Sequence, residues 1–421
     1  MPLPPWTIEL IRRGISDVAR KASEPETLEK LKKQATEILQ DLPETAARGV
    51  DAVMRTAEAG KQSVEKWSRK QTAIAVPMLN ASGVLLHPLG TGVPLSDATL
   101  QAGFELMKGD CMASDPDDSR LHRKLERLLP DGDFDIAIAS SFPAALTAFS
   151  QLVQSRPLVI HRSHAVRLPN GKPLPEAFGT LLPVIQEVGS VGSVSVSDYD
   201  GLDSFCSIVA DVGSEPAMIQ DFGSRDAWQA VVLPVATVST SVHEMIPSAE
   251  SLLSQGADFV LMPGDGICGG PACGLLIGRR EPLSVITQAP AWSSLAASDA
   301  LQAMMLAALD GDASPIHLLL DTNEENLHSR ATRMSTRLSA SDNVEQCDVT
   351  EASANITDGG RWKIPSRQLR LRHASQDAES WAANLREDLP AIIVGVEGKE
   401  IVVDLRWIDA AQDNSLATAI E

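Results

Sequence analysis

The chain has 421 residues, of which 43% are hydrophobic and 22% charged, a composition of ordinary globular proteins with room for two domains. No apolar run reaches the roughly 18–20 residues that span a bilayer, so no membrane partner is expected. The formal net charge of −20 weighs against nucleic acid as a partner, because that affinity draws on Lys and Arg neutralising phosphates.

The N-terminus, Met1-Pro2-Leu3-Pro4-Pro5-Trp6, lacks the basic-then-apolar pattern of a signal peptide, and a cytoplasmic protein is expected. Residues 1–75 read as a helical region. Leu28, Leu31, Ala35, Ile38 and Leu39 recur at helical spacing between Glu26 and Leu42, with Ser23 and Pro25 suited to the start and Pro43 to the end. A second helix is expected from Glu44 to Lys70. Residues 1–70 carry about +2, so the acidity lies further on and weighs least against a nucleic-acid-binding arm in this region.

Residues 76–310 alternate short apolar runs with helical stretches. Strands are expected at Phe134–Ala139, Pro157–Ile160, Ser207–Val212, Val231–Val235 and Asp258–Met262, with a helix over Ser248–Gln255. This alternation predicts a parallel sheet covered on both faces. Ligands of such sheets sit at the carboxyl ends of the strands, and Gly264–Gly270 follows one of them. Residues 311–421 read as a smaller C-terminal α/β domain. Within it, Ser339–Gly360 is polar and turn-rich and is expected to be a long loop or insertion. Gln368–Leu371 and Glu400–Leu405 suit strands, and Ala378–Leu389 a helix.

The five cysteines fit a reducing compartment. Cys268 and Cys273 enclose Gly-Gly-Pro-Ala, which is not the close C-x-x-C pairing of zinc or redox sites. They read as buried structural residues, and no metal site is expected. The run His161, Arg162, His164 and Arg167 reads as a solvated basic loop more readily than as an anion site.

The segment Ala257-Asp258-Phe259-Val260-Leu261-Met262-Pro263-Gly264-Asp265-Gly266-Ile267-Cys268-Gly269-Gly270-Pro271-Ala272-Cys273-Gly274 resembles the cofactor segment of bacterial L-seryl-tRNA(Sec) selenium transferases. Further likenesses keep the family's order. Asn80-Ala81-Ser82-Gly83-Val84-Leu85-Leu86-His87 is similar to its "NATGVVLH", and Pro94-Leu95-Ser96 to the "APLS" beyond. Ser140-Ser141-Phe142-Pro143-Ala144-Ala145 stands where it has "NNNAAA". Gln186-Glu187-Val188-Gly189 and Glu400-Ile401-Val402-Val403-Asp404-Leu405-Arg406 match later motifs. The resemblance implies the fold-type-I pyridoxal-phosphate transferase fold (aspartate aminotransferase-like). It also implies a homo-oligomer, a dimer or larger, and conversion of seryl-tRNA(Sec) to selenocysteinyl-tRNA(Sec).

In that family a lysine after Gly-Asp carries pyridoxal phosphate as a Schiff base. The corresponding position here is Gly266, and the sequence contains no lysine between Lys172 and Lys363. Glycine can neither form the imine nor move a proton. The carboxylate that pairs with the pyridine nitrogen falls by order and spacing at Val232-Leu233-Pro234-Val235-Ala236, where there is no acid. Asp211-Val212-Gly213-Ser214 is the alternative for that motif. Ser140 and Ser141 stand at a phosphate cradle or a plain helix cap. His87 and Asp265 are the remaining polar residues of the implied pocket.

No catalytic residue is therefore assigned, and no cofactor is expected, although the resemblance implies pyridoxal phosphate. Three readings follow. The favoured one is a family member that has lost pyridoxal-dependent catalysis and serves in binding or regulation. The alternative is an active selenium transferase or related lyase with relocated catalytic groups. The third is a different small-molecule enzyme that uses the old pocket near Gly264–Gly270 and His87.

Overall fold

The structure is a computed structural model that describes residues 75–111, 127–130, 132–153, 156–168, 172–179, 185–210, 218–239, 246–310, 314–358 and 361–421. The helices expected over 26–42 and 44–70, and the Asp211–Ser214 motif, lie outside these residues. Pro77–Glu421 form one unit, which contains everything described below.

Twelve strands are described: β1 Met78–Ala81, β2 Phe134–Ala139, β3 Leu158–His161, β4 Ile185–Val188, β5 Ser204–Ala210, β6 Asp226–Val232, β7 Phe259–Pro263, β8 Gly274–Arg279, β9 Val344–Asn355, β10 Lys363–His373, β11 Ala391–Glu397 and β12 Glu400–Asp404. Seven form one sheet in the order β2-β8-β7-β6-β5-β3-β4, and five another in the order β1-β11-β12-β10-β9. The larger sheet is parallel except for β8, which runs against both β2 and β7. The exception is local: the turn after β7 sends the chain straight back as a hairpin, whereas parallel neighbours need a crossover.

Successive residues of the central strands serve opposite faces. Val231 and Val260 pack with Val209, Leu275 and Ile277, while Ala230, Phe259 and Leu261 pack with Ile208 and Leu276. Both faces are covered, which is why these strands read as unbroken apolar runs rather than alternating ones.

The expectation of a loop or insertion over Ser339–Gly360 is corrected by the structure. Most of that stretch is β9, paired antiparallel with β10 along its length. Glu345, Gln346 and Glu351 point to solvent while Val344 and Ala354 are buried. One-sided burial let polar side chains dominate the composition without preventing a strand. Beneath this sheet, Leu369, Leu371, Ile392, Ile401 and Val403 meet Leu327, Trp381 and Leu416 from the helices Glu324–Leu338, Ala378–Glu387 and Asp413–Ile420.

Candidate functional site

Strands β2, β6 and β7 are parallel to one another, and the segments that follow their carboxyl ends converge. With residues from 86–95 and Pro315–Ile316 they line a cleft of about 710 Å³, within the roughly 300–1,000 Å³ of small-molecule sites. Its position obeys the rule for ligand sites in such sheets.

One wall is the segment after β1. Asn80 is fully buried, and its Nδ2 donates towards the carbonyls of Val84, Leu85 and Thr91 at 2.9, 3.2 and 3.0 Å. One side chain thus ties both ends of the loop to β1. The loop is also stitched to the end of β9, through Leu85 N–H to the Asn355 carbonyl and Leu86 N–H to the Ile356 carbonyl, both 2.9 Å. Gly92 has φ +72°, and a Cβ there would stand 2.9 Å from Asn80, so glycine is what lets the loop close on the asparagine.

His87 lies on this wall, half-buried. Its Nδ1 accepts the Leu89 N–H at 3.2 Å, which leaves the proton of the neutral ring on Nε2. Burial lowers its pKa, the positive charge of Arg386 lowers it further, and Asp358 opposes them. The ring is therefore neutral at pH 7 and a donor through Nε2.

The floor is the turn from β7 to β8. Gly266 lines the cleft with φ +64°, and a Cβ there would approach Leu86 Cδ2 at 2.9 Å. Asp265 beside it is exposed to the cleft. The walls around it raise its carboxyl pKa by burial, with its own backbone N–H opposing. The glycine-rich turn spends three of its N–H groups on itself: Gly264 donates to Cys273, Gly269 to Gly266 and Gly270 to Gly264. These donors are not available to an anion.

Ser141 is the N-cap of the helix Phe142–Leu152, its Oγ accepting from Ala144 N–H at 3.2 Å. Of the first N–H positions of that helix, Pro143 has none and that of Ala144 is taken by the cap. Ser140 is exposed and its N–H donates to the Leu295 carbonyl at 2.7 Å. Neither serine lines the cleft; the next two residues, Phe142 and Pro143, do. After β6 the chain places Pro234 on the cleft, and Leu233, Val235 and Ala236 are buried. No carboxylate stands at this strand end.

The structure thus gathers His87, Asp265 and Gly266 in one cleft and leaves Ser140 and Ser141 beside it. The sequence reading did not single out the proline wall. Seven lining residues are prolines, among them Pro234, Pro263 and Pro271, and none of the described lining residues is Lys or Arg. Of the basic run after β3, His161 is fully buried, its Nδ1 accepting from Ser163 N–H at 3.1 Å, and Asp198 stands 3.4 Å from its Nε2. Arg162 is exposed and pairs with Glu187. Among the described residues no group of three or more His, Cys, Asp or Glu is placed to hold a metal ion, and no helix is long and apolar enough to cross a membrane.

The family model described as L-seryl-tRNA selenium transferase matches residues 234–409. The L-seryl-tRNA(Sec) selenium transferase of Moorella thermoacetica is 24% identical over 430 aligned residues, covering 93% of this chain and 87% of the relative. That of Alkaliphilus metalliredigens is 20% identical, covering 79% and 78%. The chain is similar to the L-seryl-tRNA(Sec) selenium transferases over most of its length.

Among solved structures, D-glucosaminate-6-phosphate ammonia-lyase is similar with a TM-score of 0.59 at 15% identity, covering 84% of this chain and 96% of that one. The fold is the fold-type-I pyridoxal-phosphate transferase fold implied by the sequence motifs. The lining residues are a poor fit to the cofactor of that fold. They include no lysine and no acid at Pro234, and the N–H groups of Ala144, Gly264, Gly269 and Gly270 are already paired within the chain.

Proposed function

We propose that this chain is a selenium transferase family member that has lost pyridoxal-phosphate-dependent catalysis and acts as a binding or regulatory protein through the retained cleft. The observation that carries this reading is Gly266 on the cleft floor, with no lysine among the described lining residues. Pyridoxal chemistry asks the protein for an imine-forming lysine and a carboxylate at the ring nitrogen. Gly266 and Pro234 supply neither. Within this reading His87 and Asp265 remain as ligand contacts, while Ser140 and Ser141 shape the helix start. The large domain spans 76–310 and the small one 311–421. The protein works as a cytoplasmic homo-oligomer, without tRNA as a required partner.

The test is the intact mass of the purified chain after incubation with pyridoxal phosphate and borohydride, followed by peptide mapping. The expected result is no stoichiometric adduct at any one site. A single modified lysine at full occupancy would overturn the reading and identify a relocated catalytic group.

A further inference from the structure

The cleft differs chemically from a phosphate-ester site, and the difference has a direction. Its described lining contains one carboxylate, Asp265, and no Lys or Arg to balance it. No side-chain hydrogen bond or ion pair to Asp265 is found among the described residues, and its carboxylate opens into the cleft. The other polar side chains there are those of His87 and Thr91. Prolines on the wall cannot donate a backbone N–H, and the N–H groups of Gly269 and Gly270 are already satisfied within the turn. An anionic ligand entering this space would lose water and meet a like charge. A cation on an apolar body would exchange water for a carboxylate at the floor and apolar contact along the walls.

We infer that the cleft binds a small molecule with a protonated amine on an apolar body and no phosphate, the amine seated on Asp265. The neutral His87 ring donates from Nε2 to an uncharged acceptor on the same ligand. The inference rests on the proposed loss of pyridoxal chemistry, because it assigns to the emptied family pocket a ligand of opposite charge. Charge complementarity selects the occupant: the walls give area to any apolar group, and among the described lining residues only Asp265 discriminates among ligands by sign.

The experiment is calorimetric titration of the full chain with three probes: 2-phenylethylamine, 3-phenylpropionate and inorganic phosphate. The amine is expected to bind saturably, and the two anions are not. Asp265→Asn, which keeps the shape of the side chain, is expected to weaken the amine by about tenfold, and Asp265→Glu to restore part of the loss. Absence of saturable amine binding at millimolar concentration, tighter binding of either anion, or equal amine affinity in Asp265→Asn overturns the inference. The mass measurement above is read separately. A lysine adduct defeats the loss of catalysis whatever the amine does. No amine binding in a chain that takes no adduct defeats the ligand class alone.

Discussion

Two residues of the cleft make distinct demands. At Gly266 the backbone lies in the left-handed region, where a side chain costs about 1–2 kcal/mol, and a Cβ would also press on Leu86. Gly266→Lys is therefore expected to lower stability by at least that amount in urea unfolding, and to give no borohydride-reducible adduct. At Asp265, burial holds the folded pKa above the unfolded value of 3.8. The folded state then favours the protonated acid, so wild type loses stability as pH rises from the unfolded pKa through the folded one. Asp265→Asn lacks that loss. Its gain in Tm over wild type should grow as pH rises from about 4 and level off above the folded pKa; a gain that shrinks with pH would contradict the assignment. The thiols of Cys206 and Cys268 are raised well above their ordinary pKa by burial, and that of Cys273 to about 12 for the same reason. Iodoacetamide at pH 8 should label exposed Cys111 in the native chain and spare these three.

At the scale of elements, two side chains outside the cleft anchor the segments beside it. Asn80→Ala removes the anchor of the loop that carries His87 and leaves three carbonyls, of Val84, Leu85 and Thr91, without that donor. A loss of about 2–4 kcal/mol is expected, together with weaker binding in the cleft. Ser141→Ala removes the cap of the helix Phe142–Leu152 and should cost about 1 kcal/mol, with little effect on cleft binding, since Ser141 does not line it. Five of the seven strands of the larger sheet were legible in the sequence, all but β4 and β8, because burial on both faces makes them continuous apolar runs. β9 was not, because half of it faces water and its composition looks like a loop. Likewise His87, Asp265 and Gly266 were found from motifs. The proline wall was missed because Pro88, Pro143, Pro234, Pro263 and Pro315 lie far apart in sequence and are joined only by the convergence of strand ends.

For the whole molecule, the charge of −20 and the likeness to selenium transferases pull in different directions. A polyanion is repelled at long range unless a basic patch gathers locally. The full chain is expected not to retard seryl-tRNA in a gel shift at physiological salt. Saturable, salt-sensitive binding there would instead assign an RNA role to the weakly basic residues 1–70. Light scattering on the eluting protein should give a mass at least twice the 44.9 kDa of one chain; a monomer would remove the homo-oligomer from the proposed function.

The geometry at Gly266 also bears on descent. A lineage that regained lysine there by a single substitution would meet a backbone turned the wrong way and a leucine in the path of the new side chain. The methyl end of Leu86 can turn aside, so the left-handed backbone is the larger cost, about 1–2 kcal/mol. Selection acting on one change at a time would meet that cost before any gain. On the function proposed above, descendants of this chain are free to refine a new ligand in the cleft, and the old chemistry is costly to recover.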